Sequence, residues 1–148
     1  MSQTTTRVDQ IATVIVPSTD QDRSIAFFAD NFGLEVRADV PFGDSYRWVE
    51  VAPPGAQTTI ALAPPREGDA VGVETGISLR TDNIDALHGA LRVAGVDVDA
   101  EVSRFGGPVP PMFWFRDPDG NRAMVVEAWL ARAPPKLAQA YLDEHDLG

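Results

Sequence analysis

Hydrophobic residues recur every three or four positions in two parts of this chain, and short strand-like runs follow each part. Residues at that spacing share one face of an α-helix, so each pattern predicts an amphipathic helix. The two apolar stripes consist of Ile25, Phe28, Ala29 and Phe32, and of Ile84, Leu87, Leu91 and Ala94.

Residues suited to helix ends flank both predicted helices. Asp20 precedes the first helix, and Asp82 and Asn83 precede the second. The side-chain oxygen of such a residue can accept a hydrogen bond from a free N–H group of the first turn. Gly33 and Gly95 follow the last apolar residues, where helices often end on a residue with positive φ. The flanking residues therefore support both helices.

The two helical stretches belong to two similar segments, residues 11–36 and 76–98. Each segment contains an apolar run, a short polar cluster, the helix, a glycine and a strand-like run. Two more strand-like runs follow each segment, and the last two flank the sequence DPDGN at 117–121, which is typical of a hairpin turn. Each half of the chain therefore predicts the order β-α-β-β-β.

The predicted fold is a single α+β domain, residues 1–148, with one βαβββ module at 8–65 and a second at 72–129. A Pro-Pro pair interrupts the chain after the second module, because proline is not tolerated inside a helix. Residues 135–146 then predict a C-terminal helix that has no counterpart in the first half.

Composition and charge narrow the classes of function. Twelve Lys and Arg residues against 22 Asp and Glu residues give a net charge of −10, which repels nucleic acids and anionic membranes. The chain has no cysteine, so disulfides and thiolate metal ligands are excluded. No apolar run approaches the roughly 18 residues that span a bilayer, and the first residues, MSQTTTRVDQ, contain no signal-peptide core. We expect a cytoplasmic protein that binds neither nucleic acid nor membrane.

The duplicated unit, with STDQDRSIAFFADNFGLEV early and FRDPDGN late, resembles the vicinal oxygen chelate superfamily over residues 8–129. This superfamily includes glyoxalase I, extradiol dioxygenases, fosfomycin-resistance enzymes and bleomycin-resistance proteins. The resemblance implies that two sheets curl into a cup-shaped open barrel that holds the ligand, commonly in a homodimer. It also implies that metal-dependent members place one metal ligand on each of four strands.

The positions that match those four metal ligands carry none of the usual ligand types. In chain order they are Thr13, either Thr59 or Ala61, Gly76 and Met124. Divalent metals in such sites need imidazole nitrogen or carboxylate oxygen. The departure predicts that this chain holds no metal and needs no cofactor. The nearby acid, Glu127, falls on the opposite face of its strand from Met124, because side chains alternate along a strand.

The same family register directs a mostly apolar set of side chains toward the cup. The predicted ligand-binding residues are Thr13, Ile15, Ser78, Met112, Trp114, Met124 and Val126. Such a lining suits a flat or apolar small molecule. An ordinary core position is an equally good interpretation of Trp114.

The sequence supports two interpretations for each of two further groups of residues. Trp48 and Glu50 share one face of the third strand, but Val49 and Val51 on the other face are also good core residues. Three arginines either orient an anionic group of the ligand or are charged residues at the rim of the cup. They are Arg47, Arg80 and Arg116.

These observations favour a metal-free binder that sequesters a small, partly apolar molecule, as the resemblance to bleomycin-resistance proteins implies. The alternative is an enzyme of the same superfamily, a lyase or a dioxygenase. It would use a displaced metal site or metal-free acid–base groups. An acid in the cup with a raised pKa and a convergent donor would favour the enzyme, whereas an apolar cup favours binding.

Overall fold

The computed structural model of the protein describes residues 6–127, together with Gln139 and Asp143. The elements within 6–127, in chain order, are β1 Thr13–Pro17, α1 Gln21–Phe32, β2 Glu35–Phe42, β3 Tyr46–Ala52, β4 Thr59–Ala63, β5 Glu74–Thr81, α2 Ile84–Val93, β6 Asp97–Val98, β7 Met112–Arg116 and β8 Arg122–Glu127. The order β-α-β-β-β predicted for each half is therefore confirmed.

The chain divides into two compact units, the first ending at Val71 and the second beginning at Gly72. The single domain with modules at 8–65 and 72–129 stays a prediction. The C-terminal helix predicted for 135–146 lies outside the described residues, apart from Gln139 and Asp143. Neither helix of the described part is long and apolar enough to cross a membrane.

The first unit is a four-stranded sheet in the order β1-β4-β3-β2 with α1 packed on one face. Strands β1 and β4 run parallel, and the other neighbours are antiparallel. The carboxylate of Asp20 accepts a hydrogen bond from the backbone N–H of Arg23, and the helix ends at Gly33 with φ of 71°. Both predicted helix ends are confirmed here.

The contacts of α1 show which face of the first sheet it covers. The hydroxyl oxygens of Ser18 and Ser24 lie 2.6 Å apart in the interior, and Arg47 on β3 pairs with Asp22 in the first turn of the helix. The apolar side chains buried on this face come from β1, β3 and β4 and are Val16, Val49, Val51, Ile60 and Leu62. This face is the hydrophobic core of the unit.

The second unit repeats the arrangement, with strand order β5-β8-β7-β6 and α2 on one face. The side chain of Asn83 accepts a hydrogen bond from the backbone N–H of Ala86, and Gly95 follows the helix with φ of 79°. His88 packs edge-on against the ring of Phe113 at 4.9 Å, and its Nε2 lies 2.7 Å from the carbonyl oxygen of Asp99. His88 is thus a locally packed residue on the core side.

The DPDGN turn joins β7 to β8 and also anchors the start of the second unit. The backbone N–H of Gly120 closes the turn on the carbonyl of Asp117 at 2.9 Å. The buried carboxylate of Asp117 accepts hydrogen bonds from the side-chain amide and the backbone N–H of Asn121, and burial raises its pKa. The amide oxygen of Asn121 accepts from the backbone N–H groups of Gly72 and Val73.

We expect Asn121→Ala to lower the free energy of unfolding by about 3 kcal/mol, because two backbone N–H groups and a buried carboxylate lose a partner at roughly 1–3 kcal/mol each. Urea unfolding followed by circular dichroism measures the change. Asn31→Ala is the matched control, since the Asn31 amide donates to the carbonyl of Phe27 within α1. Its expected loss is below about 1 kcal/mol. Equal losses in the two variants would contradict the anchoring role of Asn121.

Candidate functional site

Each sheet has one face covered by its own helix and one face that the helix leaves uncovered. We call the second of these the helix-free face. Side chains alternate between the two faces along a strand, so the strand registers assign every residue to one face or the other. The helix-free faces carry all seven residues that the sequence predicted to bind a ligand.

Five of the predicted residues meet on the helix-free face of the second unit. In one row across the sheet, Ser78 pairs with Met124, which pairs with Trp114. In the next row, Val126 on β8 pairs with Met112 on β7. The four apolar members are half-buried, and Ser78 is exposed. Together they form a continuous apolar patch with a hydroxyl at one side, and no gap in the register separates them.

The arginines of this face differ in what holds them. The guanidinium of Arg122 lies 4.8 Å from the centre of the Trp114 ring and donates to Glu74 at 2.9 Å. Arg116 pairs with Asp99 at 3.0 Å. Arg80 pairs with Val126 in register and makes no ion pair or side-chain hydrogen bond in the described part of the chain. Among the described residues, Arg80 is therefore the arginine of this face without an ion pair, and its side chain is exposed.

Arg47, by contrast, lies on a sheet face that a helix covers. Its guanidinium donates to Asp39 at 2.7 Å and to Asp22 in helix α1 at 2.8 Å. It therefore lies on the helix-covered side of the first sheet. Arg47 is therefore not one of the arginines of the helix-free faces, and two carboxylates of its own unit already hold its guanidinium.

The helix-free face of the first unit carries the other two predicted residues. Thr13 pairs with Thr59, and Ile15 pairs with Ala61. Ile15 is 61% exposed. Of the two residues that match the second metal position of the family, Thr59 and Ala61, Thr59 is the one directly opposite Thr13. The hydroxyl oxygens of the two threonines lie 3.0 Å apart.

Trp48 and Glu50 lie on this same helix-free face, which the sequence pattern left open. Glu50 pairs with Ala61 on one side and Ala38 on the other. Its two carboxylate oxygens accept one hydrogen bond each, from the hydroxyl of Thr59 and from the indole N–H of Trp48, both at 2.6 Å. These two bonds hold the pKa of Glu50 below its ordinary value, the bond from Thr59 being the stronger cause.

The sequence pattern alone could not assign Glu50 and Trp48 to the predicted site. Valines and a tryptophan are equally plausible core residues, so the alternation along β3 did not tell which set faced the helix. Val49 and Val51 are almost fully buried, which settles the question. The sequence does contain one signal that Glu50 and Trp48 belong together. A glutamate and a tryptophan two residues apart on a strand lie on the same face of the sheet.

Glu127 has a role on the helix side. One of its carboxylate oxygens accepts a hydrogen bond from the backbone N–H of Ile84, the first residue of α2, at 3.3 Å. A carboxylate at a helix N-terminus is stabilising because it meets unpaired N–H groups and the positive end of the helix dipole. Glu127 therefore holds α2 on its sheet, on the opposite face from Met124, as predicted.

The positions that match the family's metal ligands do not fit a divalent transition metal. Thr13 and Thr59 offer hydroxyls, Gly76 has no side chain, and Met124 offers a thioether, whereas such metals take imidazole or carboxylate ligands in these sites. Among residues 6–127, with Gln139 and Asp143, no three His, Cys, Asp or Glu side chains come together. That the protein works without a metal or cofactor stays a prediction.

We expect Thr59→Val to raise the pKa of Glu50 toward its ordinary value, which an NMR titration of the carboxyl carbon measures. A carboxylate with a lowered folded-state pKa stabilises the fold above its unfolded pKa, and this contribution is lost as the pH falls through the folded pKa. The variant should therefore lose about 2 kcal/mol of unfolding free energy near pH 7, the value of a hydrogen bond to a charged group, and less near pH 3.

The neighbouring threonine provides the control for that experiment. The hydroxyl of Thr58 donates to the carbonyl of Ile11, so Thr58→Val should leave the pKa of Glu50 unchanged and cost a pH-independent amount. An unchanged pKa of Glu50 in Thr59→Val would contradict the hydrogen-bond network.

Comparisons with known proteins agree with the fold. The model of the Glyoxalase/Bleomycin resistance protein/Dioxygenase superfamily matches residues 7–125. The crystal structure of a member of that superfamily from Sphaerobacter thermophilus DSM 20745 is 33% identical, with a TM-score of 0.75 over 82% of this chain and 98% of that chain.

Two further relatives come from other bacteria. TnmS3, an antibiotic binding protein from Streptomyces sp. CB03234, is 30% identical, with a TM-score of 0.70 over 82% of this chain and 98% of its own. The Bacillus subtilis (strain 168) protein YetH is 29% identical over 126 residues, which make up 81% of this chain and 99% of YetH. On the family model and these structures, the chain belongs to the glyoxalase/bleomycin resistance protein/dioxygenase superfamily, and the predicted family fold is confirmed.

Proposed function

We propose that the protein binds a small, partly apolar organic molecule and sequesters it without changing it chemically. The observation that carries the proposal is the continuous patch of Met112, Trp114, Met124 and Val126 on the helix-free face of the second unit. Aromatic and thioether side chains give large dispersion contacts with flat molecules and adapt to different shapes. Thr13 and Ile15, on the helix-free face of the first unit, stay predicted ligand-binding residues.

The relative TnmS3 supports this proposal. It is an antibiotic binding protein, and it shares the fold over most of both chains. An antibiotic-like natural product, with a flat ring system and few polar groups, is therefore the class of ligand we propose for this chain.

The enzyme alternative, a lyase or dioxygenase, receives less support from the electrostatics. A general acid needs a pKa raised toward the working pH. Glu50 lies on a helix-free face with two donors, but those donors lower its pKa. Asp117, whose pKa is raised, is tied to Asn121 in the hairpin turn. Formation of a homodimer, a cytoplasmic location and the absence of nucleic-acid binding stay predictions.

Trp114→Ala tests the apolar patch directly. We expect the dissociation constant for 2-naphthylmethanol, a flat and neutral probe, to rise about 10-fold, because an aromatic stacking contact is worth roughly 0.5–1.5 kcal/mol beyond its buried area. Trp114→Phe keeps an aromatic ring and should lose about half of that free energy. Titration followed by NMR chemical shifts measures both.

Val93→Ala is the matched control for this truncation. Val93 is 91% exposed on helix α2, and its removal should leave the dissociation constant unchanged. Wild-type affinity in Trp114→Ala, with the fold checked by circular dichroism, would contradict the proposed binding surface.

The proposal also predicts that the purified protein holds no stoichiometric divalent metal. The four family positions lack imidazole and carboxylate groups, and the affinity for transition metals depends on those groups. Elemental analysis of protein prepared without chelators is the measurement. About one tightly held Ni, Zn, Fe or Mn ion per chain would contradict a metal-free binder.

A further inference from the structure

The carboxylate of Glu50 differs from the other two acids of the first unit whose pKa is lowered, Asp39 and Asp69, in what stabilises its charge. Asp39 and Asp69 also have lowered pKa values, and each lies beside an arginine, Arg47 and Arg66 respectively. Glu50 has neutral donors instead, the hydroxyl of Thr59 and the indole N–H of Trp48. It makes no ion pair within residues 6–127.

A half-buried carboxylate without a positive partner is an unusual element of a sheet. Withdrawing a charge from water is costly unless the charge is paired. The neighbours of Glu50 in register, Ala38 and Ala61, bring no polar group to it. Both hydrogen bonds hold the carboxylate in a fixed position on the helix-free face, and no residue of the described part of the chain brings a positive charge to it.

The indole of Trp48 adds a second feature suited to positive charge. Trp48 and Glu50 are two residues apart on β3 and share one face, about 7 Å apart along the strand. The face of an indole ring attracts cations, and an indole is the strongest of the aromatic side chains in this respect. A carboxylate beside an indole is the combination that recognises an ammonium group.

We propose that Glu50 and Trp48 form a recognition site for an organic cation, such as a protonated amine, on the helix-free face of the first unit. This inference rests on the proposed function and names the class of ligand, a partly apolar molecule that carries a positive group. The net charge of −10 favours the approach of such a molecule over that of an anion.

An organic cation fits this place better than a metal ion does. Glu50 is the carboxylate of the cluster, and both of its oxygens already accept hydrogen bonds. Thr13 and Thr59 add hydroxyls, which are weak ligands for divalent metals. An ammonium group is recognised by a charged acceptor and an aromatic face, and Glu50 and Trp48 are side chains of these two types.

The test compares three probes with one ring system and different charges. They are 2-naphthylmethylammonium, 2-naphthylmethanol and 2-naphthoate, titrated near neutral pH into the wild-type protein. We expect the ammonium to bind about 10-fold more tightly than the alcohol, and the carboxylate to bind no more tightly than the alcohol. The indole N–H resonance of Trp48, assigned with Trp48→Phe, should move with the ammonium and not with the carboxylate.

Glu50→Gln keeps the size of the side chain and removes its charge. In this variant the preference for the ammonium over the alcohol should fall to about twofold or less. Glu67→Gln removes one negative charge from the exposed segment between β4 and β5 and should keep the full preference. It therefore controls for the change in net charge.

The outcomes separate this inference from the proposed function. Equal binding of all three probes, or an ammonium preference that survives in Glu50→Gln, overturns the inference and leaves small-molecule binding intact. A preference for the naphthoate also overturns it and points to Arg80. Failure of every probe to bind counts against the proposed function itself. Because the comparison of probes and the Trp48 resonance use the wild-type chain, the test stands even when a variant does not fold.

Discussion

The structure of each unit depends on one constraint: a four-stranded sheet has two faces, and a single helix covers only one of them. Because side chains alternate along a strand, every residue of the sheet is committed either to the helix-covered core or to the helix-free face. The core side carries the buried valines and the phenylalanines Phe113 and Phe115. The helix-free side carries Trp48, Glu50, Met112, Trp114 and Met124, and these are the residues that we propose to bind ligands.

Two of the glutamates on strands, Glu127 and Glu50, show how strongly this constraint decides a residue's role. Glu127 is on the helix side and accepts a hydrogen bond from the first N–H of α2, so its charge stabilises a helix end. Glu50 is on the helix-free side, where a hydroxyl and an indole hold it. The same side-chain chemistry is structural in one case and available to a ligand in the other. The difference comes from which face each strand position occupies.

Much of this architecture was predictable from the sequence because the deciding patterns are local. The helical spacing, the flanking Asp20 and Asn83, and the DPDGN turn each depend on a few neighbouring residues. Counting from this turn in the family register also directed Met124, and not Glu127, toward the predicted site. The face of β3 was not predictable, since Val49 and Trp48 both suit a core. Strand β5 begins at Glu74, two residues before the predicted run, and its pairing is irregular between Glu74 and Ser78, where Gly76 adopts φ of 71°. The partners of Arg47 and Asn121 lie far away in the sequence, so only the folded chain reveals them.

The central claim is that a small molecule binds on the helix-free face and not beneath the helices. Methyl NMR of protein labelled at methionine, isoleucine and leucine measures this directly. Met112 and Met124 report on the helix-free face of the second unit, and the buried Ile84 and Leu91 report on the side under α2. On saturation with 2-naphthylmethanol, we expect the methyl resonances of Met112 and Met124 to shift and those of Ile84 and Leu91 to stay in place. Shifts confined to Ile84 and Leu91 would contradict the account.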